Sequence, residues 1–232
     1  MSLTGKHISR VKNQEPGLGI KRVELCSSFL AIGGYNERLV LLNSLNWKPV
    51  TSLVHISPVT SANVTVYEEF FGIPDDTVDH GAHVSSVERS FFKISPIPFK
   101  VLSTPPDPSK HNPRIGVGIV KFSSDEKLVA TRNDNMTNSI WIWGLTGLSL
   151  VSLLSFKSSV KSFCWSPVES KLFIVTGTNT LYSWDLEGAA CVNIPLADIL
   201  PTFVTFNKQG NQLLLSDREK FSICYIGMED SE

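Results

Sequence analysis

The sequence predicts an all-β chain of radially stacked four-stranded sheets, four in number with a possible irregular fifth, forming an incomplete ring. Three observations predict this. Aromatic positions recur: Phe122, Trp165 and Phe206 lie 43 and 41 residues apart, and Trp143, Trp184 and Tyr225 lie 41 and 41 apart. That spacing matches a four-stranded propeller blade of about 40–45 residues. Within each unit, short runs of Val, Ile, Leu and aromatics alternate with Ser, Asp, Asn and Gly, as strands and turns do. No segment sustains the 3.6-residue apolar period of a helical repeat.

The elements follow in chain order. Residues 1–16 read as a polar tail, and the basic cluster Lys6, His7, Arg10 and Lys12 within it as a solvated one. Residues 17–56 read as the first blade, with strands near 23–28, 29–33, 38–42 and 50–55. Residues 57–113 read as an irregular blade or a long insertion: 63–69, 90–95 and 99–103 can supply strands, while 72–88 and 104–113 read as loops. Residues 114–157 and 158–197 read as two further blades, 198–228 as a terminal, incomplete blade, and 229–232 as an acidic tail. The six recurring aromatics are assigned to packing between blades, since each buried aromatic contributes roughly 1.5–3 kcal/mol by area. Trp47 and Trp141 fall outside the matched aromatic positions.

Composition narrows the chemistry. Hydrophobic residues make up 42% of the chain and charged residues 19%, enough apolar material for a sizeable core. A net charge of −1 gives no general pull towards nucleic acid or an anionic membrane. Cys26, Cys164, Cys191 and Cys224 form no C-x-x-C pair and read as free thiols of a reducing, cytoplasmic compartment. His80 and His83, close to Asp75, Asp76 and Asp79, could form a ligand set, but the spacing fits no known metal motif and reads as a solvated acidic loop. Gly116 and Gly118 lack the third glycine and helix of a phosphate cradle. Glu68 and Glu69 are neighbours on a strand and point to opposite faces, which argues against joint acid–base work. No catalytic residue, cofactor or metal site is expected, and the chain reads as a non-catalytic binder of other proteins.

Several residues carry a resemblance. Trp184-Asp185, Trp143-Gly144, Ser166-Pro167 after a first strand, and the ungapped stretch from Ala31 to Asn43, with Leu42-Asn43 in place of Trp-Asp, resemble the WD-repeat β-propeller family. The family's blades often bury a hydrogen-bonded set of His, Ser or Thr, Asp and Trp. Here that set is incomplete. The blade at Trp143 could use His111, Thr131 and Asp134; the first blade has Asn36 where the Asp belongs; the blade at Trp184 has no such Asp. The resemblance therefore assigns Leu42, Asn43, Trp143, Gly144, Trp184, Asp185 and Tyr225 to structural WD positions. It also directs attention to the turns that crowd one propeller face, with Tyr35, Arg38, Arg132, Asp134 and Arg218 as candidate partner-binding residues. Arg and Tyr are favoured at hot spots, although Arg132 and Asp134 could equally brace their own turn.

A narrower resemblance rests on residues 17–21, 30–33, 46–48, 112–118 and 130–135, which are similar to the C-terminal half of the WRAP-type centrosomal WD-repeat family. It implies an adaptor at the centrosome or spindle pole, partnered by a coiled-coil anchoring protein, in spindle assembly and ciliogenesis. It also implies that the sequence is a fragment or shortened form, whose unpaired blade edges would promote self-association. The alternative is an RNA- or translation-associated propeller scaffold. No basic stripe with interleaved aromatics supports that alternative. RNA titration at low and high salt separates the two: the protein-binding scaffold is expected to show no salt-dependent RNA affinity.

Overall fold

The computed structural model describes residues 19–74, 88–107, 109, 111, 114–196 and 198–226. Among these, the first sheet holds β1 (Ile20–Leu25), β2 (Phe29–Gly34), β3 (Arg38–Asn43) and β4 (Pro49–Val54), in that order and antiparallel. We label it blade I. Among the described residues of 57–113 no separate four-stranded sheet forms. They supply a hairpin, β5 (Thr65–Gly72) with β6 (Arg89–Ile94), while residue 99 makes only an isolated bridge with residue 59. The hairpin joins the sheet of β7 (Val117–Phe122), β8 (Leu128–Asn133), β9 (Ser139–Gly144) and β10 (Ser149–Ser155), giving blade II six strands in the order β6-β5-β10-β9-β8-β7. The junction is parallel, with Thr65 opposite Ser152 and Glu68 opposite Ser155.

Blade III is β11 (Ser162–Trp165), β12 (Leu172–Val175), β13 (Thr180–Trp184) and β14 (Ala189–Asn193). Among the described residues blade IV has three strands, β15 (Phe203–Phe206), β16 (Gln212–Ser216) and β17 (Phe221–Tyr225). The first strands lie side by side, β1 with β7, β7 with β11 and β11 with β15, so the blades fan out from one inner edge. Among the described residues no sheet closes on itself. The architecture is an all-β partial propeller.

Alternation along each strand fixes this arrangement. Successive side chains point to opposite faces, so one apolar strand feeds two different cores. In β8, Val129 joins the core shared with blade I, while Leu128 and Ala130 join the core shared with blade III. Blade III repeats the pattern: Phe163, Trp165, Ile174 and Trp184 face blade II, while Cys164, Phe173 and Val175 face blade IV. The Trp165 indole N–H donates 2.9 Å to the Lys121 carbonyl, tying blade III to the inner strand of blade II.

Trp143, Trp165 and Trp184 are buried, and Phe122 and Phe206 pack half-buried against the cores. Tyr225 departs from the expectation: it is 75% exposed. Leu172 opposes Trp184, but the equivalent Leu213 opposes Cys224, because the last hairpin is one residue shorter. A one-residue slip turns a side chain to the other face of its sheet, so Cys224 takes the inward place and Tyr225 points away. Trp141, outside the aromatic repeat, is fully buried and lies parallel to Trp143, with centroids 5.9 Å apart.

Glu69 holds the added hairpin in place. Its carboxylate is buried. One oxygen accepts hydrogen bonds from the Tyr182 hydroxyl at 2.7 Å and the Ser90 hydroxyl at 2.8 Å, and the other from the Lys157 backbone N–H at 2.8 Å. Desolvation, with the Glu69 hydrogen bond second, pushes the Tyr182 phenol up to about 12. Phe92, Phe156 and Tyr182 pack edge-to-face beside these bonds, closing the hairpin against blade III.

Removing the carboxylate strands three donors. Glu69→Ala is expected to lower stability by about 3–5 kcal/mol, against about 1–2 kcal/mol for Tyr182→Phe, which removes one donor and leaves the other two bonds standing. Urea denaturation midpoints of the two variants check that ranking.

Candidate functional site

The turns that precede the third strand of each blade gather on one face, and at the junction of blades I and II they are bound to one another. Gly34 closes β2, and the chain turns through residues 35–37, with Glu37 in the left-handed region at φ 63°. Gly116 meets this turn from blade II. Its φ of 83° favours glycine, and a Cβ there would collide with the Gly34 carbonyl and the Tyr35 backbone. Gly118 makes room in the same way for the Asp134 carboxylate. The Gly116-x-Gly118 pair is thus a close-packing device between blades. Asn135 completes the seam by donating 2.5 Å to the Glu37 side chain.

Asp134 lies at the centre of an ionic chain spanning three blades. The Lys21 ammonium sits 2.6 Å from one carboxylate oxygen, and the Arg132 guanidinium donates 2.7 Å to the other. Lys21 also donates 2.6 Å to the Ile115 carbonyl and lies 5.1 Å over the Tyr35 ring. Arg132 in turn donates 2.6 Å to the Val160 carbonyl at the entry to blade III. Burial alone would raise the Asp134 pKa, but the hydrogen bonds and charges of Lys21 and Arg132 prevail and hold it below the usual carboxylate range. Arg132 and Asp134 are therefore largely engaged within the protein. Tyr35 is half-buried beneath the Lys21 ammonium, while Arg38 at the start of β3 is exposed. Arg218 is exposed on the β16–β17 turn of blade IV. The fold thus brings Tyr35, Arg38, Arg132 and Asp134 to one seam and leaves Arg218 apart.

A buried polar chain runs beneath this seam. The His55 ring nitrogen Nδ1 lies 2.8 Å from the Glu37 carbonyl, which can only accept, so Nδ1 carries the proton. Nε2 is then the acceptor for the Thr131 hydroxyl at 2.8 Å, and the Thr131 oxygen accepts the Trp143 indole N–H at 2.9 Å. Each of these hydrogens has one consistent direction, from Trp143 to Thr131 to His55 to the Glu37 carbonyl. Trp141 and Trp143 box the imidazole edge-on, at 5.1 and 5.4 Å.

The remaining marked positions serve the hairpins. Asn43 accepts the backbone N–H groups of Leu45 and Asn46 at 2.9 and 3.2 Å, and Asp185 those of Glu187 and Gly188 at 2.9 and 3.1 Å. The two residues cap equivalent third-to-fourth-strand turns. Leu42 is buried, and Gly144 ends β9. Desolvation pushes the Cys164 and Cys191 thiols up to about 12, far from thiolate reactivity. Among the described residues no group of three His, Cys, Asp or Glu could hold a metal. The cluster of His80, His83, Asp75, Asp76 and Asp79 lies outside the described residues. The site can present shape, charge and hydrogen bonds to a partner.

Comparison with known proteins adds to this geometry. No family model matches the chain. The chain is 33% identical over 236 residues to the WD repeat-containing protein WRAP73 of Mus musculus, an alignment covering 97% of this chain. Along nearly its whole length the chain is thus similar to a WD repeat-containing protein. It spans 51% of that relative's length, about half. The computationally designed Ika4 protein shares its overall fold at TM-score 0.54 and 10% identity, covering 96% of this chain and 99% of that one. A chain of a mitotic checkpoint complex matches at TM-score 0.40 and 13% identity, over 93% and 79% of the two chains.

In WD-repeat terms, the His–Thr–Trp set of blade II is assembled differently from the sequence expectation. Thr131 and Trp143 take part as expected. His55 supplies the imidazole from the end of blade I, whereas His111 is exposed, and Asp134 turns to Lys21 and Arg132 instead. One signal could have identified His55: it directly follows the last strand of a blade, and the inserted residues begin after it.

Burial pulls the His55 pKa from 6.5 down to about 4. As pH falls, the unfolded chain takes up this proton before the folded one does. The contribution of His55 is therefore fully present above about pH 6.5 and is lost progressively towards pH 4, on the order of 3 kcal/mol over that window. His55→Gln is expected to lose stability at neutral pH and to flatten this dependence. Urea unfolding of both proteins between pH 7 and pH 4 checks it.

Proposed function

We propose that the chain is a non-catalytic cytoplasmic adaptor at the centrosome or spindle pole, holding a coiled-coil anchoring protein on its turn-bearing face. The observation that carries this reading is the similarity to WRAP73 along 97% of the chain. The matching motifs at residues 17–21, 30–33, 46–48, 112–118 and 130–135 support it by family resemblance to the WRAP-type proteins, with roles in microtubule organisation, spindle assembly and ciliogenesis. The geometry supports a binding role on physical grounds. A firm seam of ionic and backbone contacts holds the blade I turn in one shape, so a partner meets a preorganised surface and less freedom is lost on association. In this reading Arg38 and Tyr35 touch the partner, while Arg132 and Asp134 act beneath them as positioning residues.

Proximity labelling with the full chain in dividing cells tests the proposal. The expected neighbours include spindle-pole proteins and a coiled-coil anchor, and the Tyr35→Ala/Arg38→Glu double variant should reduce recovery of the anchor by about tenfold, the loss of about 1.4 kcal/mol of binding. A neighbour set without spindle-pole components overturns the assignment to the pole.

A further inference from the structure

Beyond the last strand of blade I, a crevice of about 310 Å³ opens against the sheet of blade II. Val54 at the end of β4 and Ile56 just after it line one side, and Trp141, Trp143, Ser149 and Leu150 of β9 and β10 line the other. Residues 58–64 supply the rest of the wall. Val59, Val64, Trp141 and Trp143 are buried and form its depth, while Ile56, Thr60, Asn63 and Ser149 are exposed and form its mouth. The depth is held firmly: the Trp143 indole is fixed by its bond to Thr131, and the His55 ring stands edge-on to both indoles. The added hairpin leaves this space open because β5 meets β10 late. Their ladder begins with Thr65 opposite Ser152, so among the described residues Ser149 and Leu150 pair with β9 and their other edge has no partner strand.

We propose that this crevice binds an extended, uncharged segment of a partner protein, with an aliphatic or aromatic side chain seated against Trp141 and Trp143. Three features select that occupant. None of the residues lining the crevice is charged, so a charged group entering it would lose water and gain no counter-charge. The depth offers two parallel indoles and aliphatic side chains, a preformed pocket of the kind that takes an apolar anchor. The mouth offers the hydroxyls of Thr60 and Ser149, the amide of Asn63 and the free edge at Ser149 and Leu150, which match the N–H and C=O groups of an extended main chain. Because the indoles are already fixed, little side-chain freedom is lost on binding. Val54 stands opposite Arg38 in the β3–β4 register, so the crevice adjoins the turn-bearing seam. The inference rests on the crevice alone and stands whether or not that seam meets a coiled-coil anchor.

Selection of a phage-displayed library of random peptides on the purified 232-residue chain tests it. The expected winners share apolar, uncharged anchor positions, and the best of them, made as a free peptide, should shift the tryptophan emission on binding. Ile56→Asp and, separately, Asn63→Asp should each weaken that peptide by at least about tenfold, because a charge at the mouth is carried against an apolar ligand. Leu186→Asp, at an exposed apolar position on the β13–β14 turn of blade III and outside the crevice, should leave the affinity unchanged. All three positions are exposed, so each variant should keep the strand circular-dichroism spectrum and a cooperative melt. A library that enriches no peptide on the wild-type chain over Ile56→Asp, winners with charged anchor positions, or an affinity lost equally in Leu186→Asp each overturns the proposal. So does a dimer in sedimentation equilibrium that Ile56→Asp dissolves, since a second copy would then occupy the crevice.

Discussion

The structure depends on strands that are apolar on both sides. A sheet with one greasy face can stand against a core and show its other face to water, but β8, with Leu128, Val129, Ala130 and Thr131 all buried, has no face to spare. Such a strand is stable only between two neighbours, and each neighbour inherits the same need. Side-by-side stacking follows from this, with three successive cores sharing no residue. The polar links between blades are few and local by comparison. They set the angle and register of the stack, and apolar burial supplies most of its stability.

Two buried polar groups show how a long insertion is accommodated without disturbing the stack. His55 and Glu69 lie close to the start of the inserted segment, and both bond to residues far along the chain, 76 positions away at Thr131 and 113 at Tyr182. The first fixes the point where the insertion leaves blade I; the second fixes where its hairpin lands, between blades II and III. Blades I and II therefore meet as directly as II and III do, although 62 residues separate β4 from β7. Once such groups are buried, satisfying them becomes obligatory, since an orphaned carboxylate or imidazole would cost several kcal/mol.

Much of this was legible in the sequence. The period of the aromatics gave the blades, because a residue packed between blades must recur whenever a blade does. The strands of blade I lie within one to three residues of their expected limits, since alternation and turn chemistry act locally. The misses were non-local or hinged on a count of one. Nothing near residues 65–72 announces a parallel partner at β10. Tyr225 has the right residue type at the right interval and still faces outward, because register follows the length of its own hairpin. Of the turn residues, Arg132 and Asp134 could not be sorted between bracing and binding until Lys21 and the Val160 carbonyl were seen around them.

The parallel junction between β5 and β10 also orders events in time. Residues 65–72 leave the ribosome well before residues 149–155, the strand they pair with, and Glu69 precedes Tyr182 by a still longer stretch. During synthesis the hairpin must wait with its inner edge unpaired and its aromatic side uncovered while the blade that will receive it is made. Loop closure of this kind is entropically slow, and an unpaired edge is what a neighbouring nascent chain or a chaperone would find first. The hairpin is thus the first part of blade II to be made, and its pairing cannot be completed until the last strand, β10, exists.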